Sequence, residues 1–280
     1  MIEFSAGKGP VLHLDPISVL DVGKLSVGGV DVSPGRAIPD DGDPRIDHSL
    51  EGFLFTCGPD HIRHPEPVEG AGEGVRYPLH GSFSASPAEG IVLTREGGDA
   101  TCSASVPVTL ANGGRALLKR RWHIDGETGM VTLEDHLINT GSVPFAPMLM
   151  YHMNLGGWLF DPAVRIEGAM LDGGGFLWAF GEPEGGVFCV PAHDQPQAEV
   201  RLGPMASLQG LSLTVRFDTA SLPFLQMWRN QTAPANVLGI EPASHRWAKR
   251  PDIAARGELR TIAPGEATDY RLSFLFAEVE

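Results

Sequence analysis

The chain has few of the features that mark a membrane protein, a disulfide scaffold or a metal knuckle. Its three cysteines, Cys57, Cys102 and Cys189, lie far apart and form no Cys-x-x-Cys pair. That spacing gives no zinc-knuckle pattern and suits a reducing compartment. No apolar run approaches the ~20 residues a membrane helix needs, and the first residues lack a basic stretch followed by an apolar one. The reading is therefore a cytoplasmic chain with no membrane partner and no leader peptide. Positive charge is scarce: 21 Lys and Arg face 35 Asp and Glu, a formal charge of −14. An anionic chain has no general attraction to nucleic acid, so none is expected as a partner. No GxGxxG and no phosphate loop is present, so no cofactor is expected.

Glycine and proline, by contrast, are abundant. The 35 Gly and 23 Pro make about a fifth of 280 residues, against ~12% on average. Such punctuation breaks long helices and leaves short segments joined by turns. Alternation at period two is the strongest periodic signal, clearest in residues 104–110, 115–124 and 130–139. The last two flank Asp125-Gly-Glu-Thr-Gly129, which predicts a hairpin. Similar runs at 53–57, 145–155, 163–170, 175–180, 186–190, 199–202, 211–217, 224–228, 237–241, 258–262 and 270–276 predict further strands. Only a turn or two near 252–256 reads as helix. Many short strands without helices predict an all-β protein, a large antiparallel β-sandwich. With no visible linker, residues 1–280 are expected to form a single domain. The Pro-, Gly- and charge-rich stretch 38–76 reads as long loops.

Three short motifs carry candidate chemistry. In the first, Asn139-Thr-Gly opens a turn before an apolar run that contains Tyr151-His-Met-Asn-Leu155. Period two puts Met148, Met150, His152 and Asn154 on one face and Leu149, Tyr151 and Met153 on the other. A histidine among methionines has a tautomer and pKa that one neighbour can set; a satisfied core histidine has the same pattern. In the second, Val237, Gly239 and Glu241 share a face, with glycine leaving room beside the carboxylate and Pro242 expected to end the strand. A solvated rim carboxylate is the plain alternative. The third, Leu79-His80-Gly81, places a histidine at a loop-to-strand junction. His61-Ile-Arg-His64 lacks further ligands, so no metal site is expected. Of the tryptophans, Trp228 is the preferred sugar-face contact, with core packing the alternative. Two basic clusters, 119–123 and 245–250, read first as solvated surface. The second follows Glu241, and its Arg246 is a candidate for gripping an anionic sugar.

Taken in order, Leu79-His-Gly81, Asn139-Thr-Gly with Tyr151-His-Met-Asn-Leu155, and Leu238-Gly-Ile-Glu-Pro242 resemble the galactose mutarotase-like, aldose 1-epimerase superfamily. The stretches 53–60 and 225–230 are closer to a little-characterised epimerase-like branch, and the likeness runs from about residue 50 to 275. The resemblance implies a supersandwich of antiparallel strands and a metal-free site on a concave sheet face. It makes His152 the acid on the sugar ring oxygen and Glu241 the base on the anomeric hydroxyl. His80 and Arg63 become sugar contacts, and Asn154 and Trp228 join them as substrate-binding candidates. Glu241 is expected ionised and His152 protonated at rest. One departure stands: the superfamily's substrate-binding aspartate has no match between His152 and Glu241, where Asp161, Asp194 and Asp218 sit outside any motif.

The expected activity is mutarotation of a sugar, with a small-molecule sugar as partner and a monomer or homodimer as the state. Two alternatives stay open. One is a lyase, hydratase or carbon-centre epimerase on an oxidised or acidic sugar; the other is a non-catalytic carbohydrate-binding domain.

Overall fold

The computed structural model describes residues 1–36 and 50–278, so positions 38–49 of the expected long loop lie outside the described residues. The chain begins with β1 (Ile2–Phe4), β2 (Val11–Asp15), β3 (Asp21–Val27), β4 (Val30–Asp31) and β5 (Leu54–Cys57). Then come β6 (Glu89–Glu96), β7 (Asp99–Thr109), β8 (Arg115–Ile124), β9 (Val131–Asn139) and β10 (Met150–Gly156). Short strands follow as β11 (Arg165–Glu167), β12 (Gly175–Leu177) and β13 (Gly185–Pro191). The last are β14 (Gln197–Met205), β15 (Leu211–Asp218), β16 (Phe224–Asn230), β17 (Val237–Ala243) and β18 (Ala267–Ala277).

These strands form two nine-stranded antiparallel sheets. Sheet 1 runs β1-β2-β3-β5-β10-β17-β16-β13, with β4 on β3; sheet 2 runs β12-β11-β14-β15-β18-β9-β8-β7-β6. The large antiparallel sandwich expected from the alternation is what forms. An α-helix, α1 (Arg250–Ala255), stands where the sequence predicts a helical turn, and no helix among the described residues is long and apolar enough to cross a membrane.

Burial explains the pairing. On β7, β8 and β9 alternate residues are buried, the pattern of strands with one face on the core and one in solvent. Phe4, Leu12, Tyr151, Met153, Leu238 and Ile240 of sheet 1 pack with Trp122, Leu133, Val215 and Phe274 of sheet 2 in one apolar cluster. At ~1.5–3 kcal/mol per fully buried large side chain, this interface supplies most of the cohesion. β10 and β17 differ: every one of their seven residues is buried. Their second face carries a smaller cluster containing Phe55, Cys57, Met148, Met150, Val237 and Ile253, roofed by loops and α1. A strand covered on both faces can hold a polar side chain away from water, and the two central motifs lie there.

Several expectations need correction. Residues 145–149 and 258–262 are not strands; they share only the Phe145–Ile262 bridge. Glu241 does not end its strand, since β17 continues through Pro242, opposite Leu225, to Ala243. The β10–β17 ladder skips from Met150↔Ala243 to Met153↔Ile240, so a missing N–H at Pro242 is tolerated there. Neither basic cluster is wholly solvated, because Arg120 and Arg250 are buried.

Candidate active site

Four neighbouring strands of sheet 1, β10, β17, β16 and β13, and the loops beside them line a cavity of ≈ 460 Å³ on the face turned away from sheet 2. Its wall includes Arg63, His80, His152, Gln226, Trp228 and Glu241, with Leu79, Val187 and Trp247 among the apolar members. Register brings the strand residues together. Gln226 pairs with Glu241 and Trp228 with Gly239 across β16–β17, and Asn154 pairs with Gly239 across β10–β17. Directly opposed residues of an antiparallel pair point to the same face, ~4.5–5.5 Å apart at Cβ.

The loops are strapped to each other. His80 N donates to Arg63 O (2.8 Å) and Gly58 N donates to His80 O (2.9 Å). His80 has φ +58°, an uncommon left-handed conformation for histidine. Gly81, also at positive φ, lies so close to the His61 carbonyl that no side chain fits there. This tight corner aims His80 at Phe55 and His152, with ring centroids 5.7 Å from each.

At the centre, His152 Nε2 and Glu241 Oε1 lie 3.2 Å apart, both side chains buried. Glu241 Oε1 nevertheless has no aligned hydrogen bond. The far atoms of both groups are engaged: His152 Nδ1 with Asn154 Oδ1 (2.6 Å), and Glu241 Oε2 with Gln226 Nε2 (2.5 Å). Arg63 donates through Nε and Nη2 to Gln226 Oε1 (3.2 and 3.0 Å) and through Nη2 to His245 O (3.0 Å); its buried Nη1 has no partner. Trp228 sets its ring edge-on to His152 at 5.3 Å. A Cβ on Gly239 would meet Glu241 Oε1 at 2.7 Å and His152 Cε1 at 3.2 Å, so the glycine keeps the space beneath the pair open.

Burial dominates the electrostatics. It raises the Glu241 carboxyl to about 7, against the opposing Gln226 hydrogen bond and Arg63 charge. It lowers His152 to about 4, partly offset by Asn154. His80 falls to about 3, through burial and then repulsion from His152. Burial works against the expected resting His152 cation and Glu241 anion, since it raises the carboxyl and lowers the imidazole and so favours the neutral form of each.

Of the sequence-derived candidates, His152, Glu241, His80, Arg63 and Trp228 line this cavity. Asn154 does not; it is fully buried behind His152. Arg246 also falls outside, because Glu258 holds it in a two-pronged ion pair (Nε–Oε2 and Nη2–Oε1, both 2.8 Å) and it lies over the Phe224 ring. Asp161, Asp194 and Asp218 are absent from the lining as well. Gln226 escapes the sequence reading, although it shares strand parity with Trp228; Trp247, one of the tryptophans open to a sugar-face role from sequence but ranked behind Trp228, joins the wall as well. Among the described residues no group of three or more His, Cys, Asp or Glu could hold a metal ion.

Comparison with known proteins places the fold that carries this cavity. A protein from Klebsiella pneumoniae subsp. pneumoniae, provisionally named an aldose 1-epimerase, superposes with TM-score 0.77 at 16% identity, covering 99% of this chain and 79% of its own. A galactose mutarotase-like protein from Clostridium acetobutylicum gives 0.68 at 12% identity over 99% and 95%. A galactose 1-epimerase from Lactobacillus acidophilus gives 0.66 at 12% identity over 99% and 94%. These likenesses show the fold. No curated protein matches the sequence. The family profile for a domain of unknown function, DUF4432, matches residues 30–170 and 180–275. The chain belongs to the DUF4432 family, on a galactose mutarotase-like fold.

Proposed function

We propose that the protein is an aldose 1-epimerase-type isomerase, interconverting the anomers of a sugar through His152 and Glu241. The observation that carries this reading is the 3.2 Å approach of His152 Nε2 to Glu241 Oε1 in a cavity of sugar size, with Oε1 buried and unbonded. Opening a hemiacetal needs one proton delivered to the ring oxygen while another leaves O1, and those two oxygens share the anomeric carbon. Two proton-carrying atoms set side by side suit two such neighbouring oxygens.

In this reading the pair holds one proton. In the empty site burial keeps it on Glu241. When a sugar enters, its O1–H donates to Glu241 Oε1, which with Gln226 and Arg63 stabilises the carboxylate, and the proton passes to His152 Nε2. His152 then protonates the ring oxygen as Glu241 takes the proton of O1, and the C1–O5 bond breaks. Rotation about C1–C2 turns the other aldehyde face inward, and the reverse transfers close the ring. His80 and Arg63 contact the sugar, Trp228 flanks it, and no redox step occurs. Activity belongs to the singly protonated pair, so kcat/KM should be bell-shaped, falling below about pH 4 and above about pH 7.

The test is saturation-transfer NMR of anomeric exchange on neutral, phosphorylated and acidic aldoses, comparing wild type with His152→Ala and Glu241→Ala. Exchange that appears with wild type and vanishes in both variants supports the reading; no exchange on any aldose removes it. One observation favours a second reading. Arg63 Nη1 is buried without a partner, and the carboxylate of an oxidised sugar would satisfy it. The same pair would then exchange a carbon-bound proton, visible as deuterium uptake from D₂O.

A further inference from the structure

Two side-chain amides flank the pair: Gln226 forms part of the cavity wall beside Glu241, and Asn154 lies fully buried behind His152. Their orientations are dictated from outside. A guanidinium can only donate, so Arg63 Nε and Nη2 must face the oxygen of the Gln226 amide. That turns the Gln226 NH₂ toward Glu241 Oε2, which must accept. An oxygen accepting this hydrogen bond is the carbonyl oxygen of a protonated carboxyl, so the acid proton is left to Oε1. The histidine side follows the same logic. Asn154 Nδ2 donates to the Gly52 carbonyl (3.3 Å), so Asn154 Oδ1 faces His152 Nδ1 at 2.6 Å. An oxygen there requires a hydrogen on Nδ1, and the neutral ring keeps its lone pair on Nε2.

We propose that Gln226 and Asn154 are positioning residues that confine the mobile proton to Glu241 Oε1 and His152 Nε2, with Arg63 setting the direction of the Gln226 amide. The inference rests on the acid–base reading above and adds which atom of each group is competent. Without Gln226, either oxygen of Glu241 can carry the proton. Without Asn154, the neutral imidazole can take the Nε2–H tautomer, which presents a hydrogen to Oε1 where an acceptor is needed. A chain of fixed polarity, Arg63 to Gln226 to Glu241, thus stands opposite a second one, Gly52 to Asn154 to His152. Both end at the same 3.2 Å gap.

The first test needs no substrate. Long-range ¹H–¹⁵N spectra of histidine-labelled protein at pH 7 should show wild-type His152 protonated at Nδ1 alone. Asn154→Leu should give a mixture of tautomers, whereas Asn154→Asp should keep the Nδ1–H tautomer and raise the His152 pKa by ~1–3 units. Carboxyl ¹³C titration should show the Glu241 pKa rising in Gln226→Leu, which loses a hydrogen bond to the charged form. On an aldose that exchanges, Gln226→Leu and Asn154→Leu should each lose ~10-fold or more in rate. The alkaline limb of kcat/KM should move upward in Gln226→Leu, whereas a merely structural loss lowers the profile without moving its limbs. A wild-type His152 protonated at Nε2, an unchanged tautomer in Asn154→Leu, or an unmoved Glu241 titration in Gln226→Leu overturns the proposal. Because the spectra do not depend on turnover, absence of exchange on every aldose counts against the proposed function alone.

Discussion

On β10, Tyr151 and His152 point to opposite faces of sheet 1, and each joins a buried polar network of different completeness. Tyr151 donates to Asp135 Oδ2 (2.8 Å) inside the sandwich, where Arg120 is the hub. Arg120 uses every hydrogen it has: Nε on Asp135 Oδ1, Nη1 on Val19 O and Asp21 Oδ1, and Nη2 on Thr56 Oγ1 and Asp135 Oδ2. Asp21 is further bound by the Thr56 hydroxyl and amide. On the other face, Arg63 Nη1 is buried without a partner, and Glu241 Oε1 faces His152 Nε2 at 3.2 Å without an aligned hydrogen bond. Both networks hold an arginine and buried carboxyl groups, Arg120 fully buried and Arg63 half-buried, and what separates them most is the accounting of donors and acceptors. A buried group left unsatisfied costs ~1–3 kcal/mol, and structures retain such costs where a ligand completes the set. The Arg120 network ties sheet to sheet; the His152–Glu241 face has hydrogen-bonding capacity left for a ligand.

The comparison can be broken from either side. The largest effect expected is on rate: Glu241→Gln, which keeps shape and removes the proton acceptor, should lower anomeric exchange by ~10²–10⁴-fold. The same variant should keep or gain stability. The folded carboxyl titrates near 7, above its ordinary 4.5, so the folded state binds more protons than the unfolded one between those values. The Glu241 contribution to stability therefore falls as pH rises through that window, by about 1 kcal/mol per unit, and levels off above it, while the depressed His152, His80 and His245 pull the other way in wild type and variant alike. Glutamine has no such slope. Thermal melts at pH 5 and pH 8 should show Glu241→Gln gaining on wild type at the higher pH; a loss at both would mean the pair is a strut like Arg120.

Arg120→Met should behave in the opposite way. It strands Asp21 and Asp135 in the core without their cation, a change worth ~3–5 kcal/mol of stability. Urea unfolding should show that loss, while the rate per folded molecule stays within a few-fold of wild type. A selective collapse of rate with normal stability would assign the inter-sheet network to the chemistry.

How much of this was readable from residues alone follows the physics of each element. Alternation separates faces well on strands covered on both sides: Met148, Met150 and His152 against Leu149, Tyr151 and Met153, and Val237, Gly239 and Glu241 against Leu238 and Ile240, fall where period two puts them. Arg120 shares parity with Leu118 and Trp122, so its burial was available to the same rule; its charge made solvent the obvious choice. β6 offers no such signal, since it is an edge strand exposed at most positions. β1 and β4, three and two residues long, are too short to show a period. Loop contributors such as His64 and Trp247 have no periodicity to betray them. Parity puts Asn154 on the face of His152 but does not show that it stops short of the cavity, because parity gives direction and not depth.

A smaller effect comes from the floor of the cavity. Gly239→Ala puts a methyl group 2.7 Å from Glu241 Oε1 and 3.2 Å from His152 Cε1. One of the two must yield by a few tenths of an ångström, and misplacement approaching 1 Å costs up to ~10²-fold. Exchange should fall by roughly 10-fold with little change in KM, since the methyl group disturbs the pair more than the sugar. An unchanged rate would mean the pair tolerates displacement and the 3.2 Å gap is not what the chemistry uses.

The least effect should come from Arg246→Ala, which tests the boundary of the site. Its guanidinium is spent on Glu258 and lies outside the cavity wall, and its side chain is 39% exposed. An exposed ion pair of this kind contributes ~0–1 kcal/mol. Exchange on neutral and acidic sugars alike should stay within about twofold of wild type, with a melting temperature lowered slightly or not at all. The informative failure would be selective: a tenfold loss on acidic sugars with neutral ones untouched. Arg246 would then have to leave Glu258 when an anionic substrate arrives, and a valence already satisfied in the empty protein would be part of the site. Completeness of bonding would no longer separate strut from site, and the contrast between the two faces of β10 would rest on the His152–Glu241 pair alone.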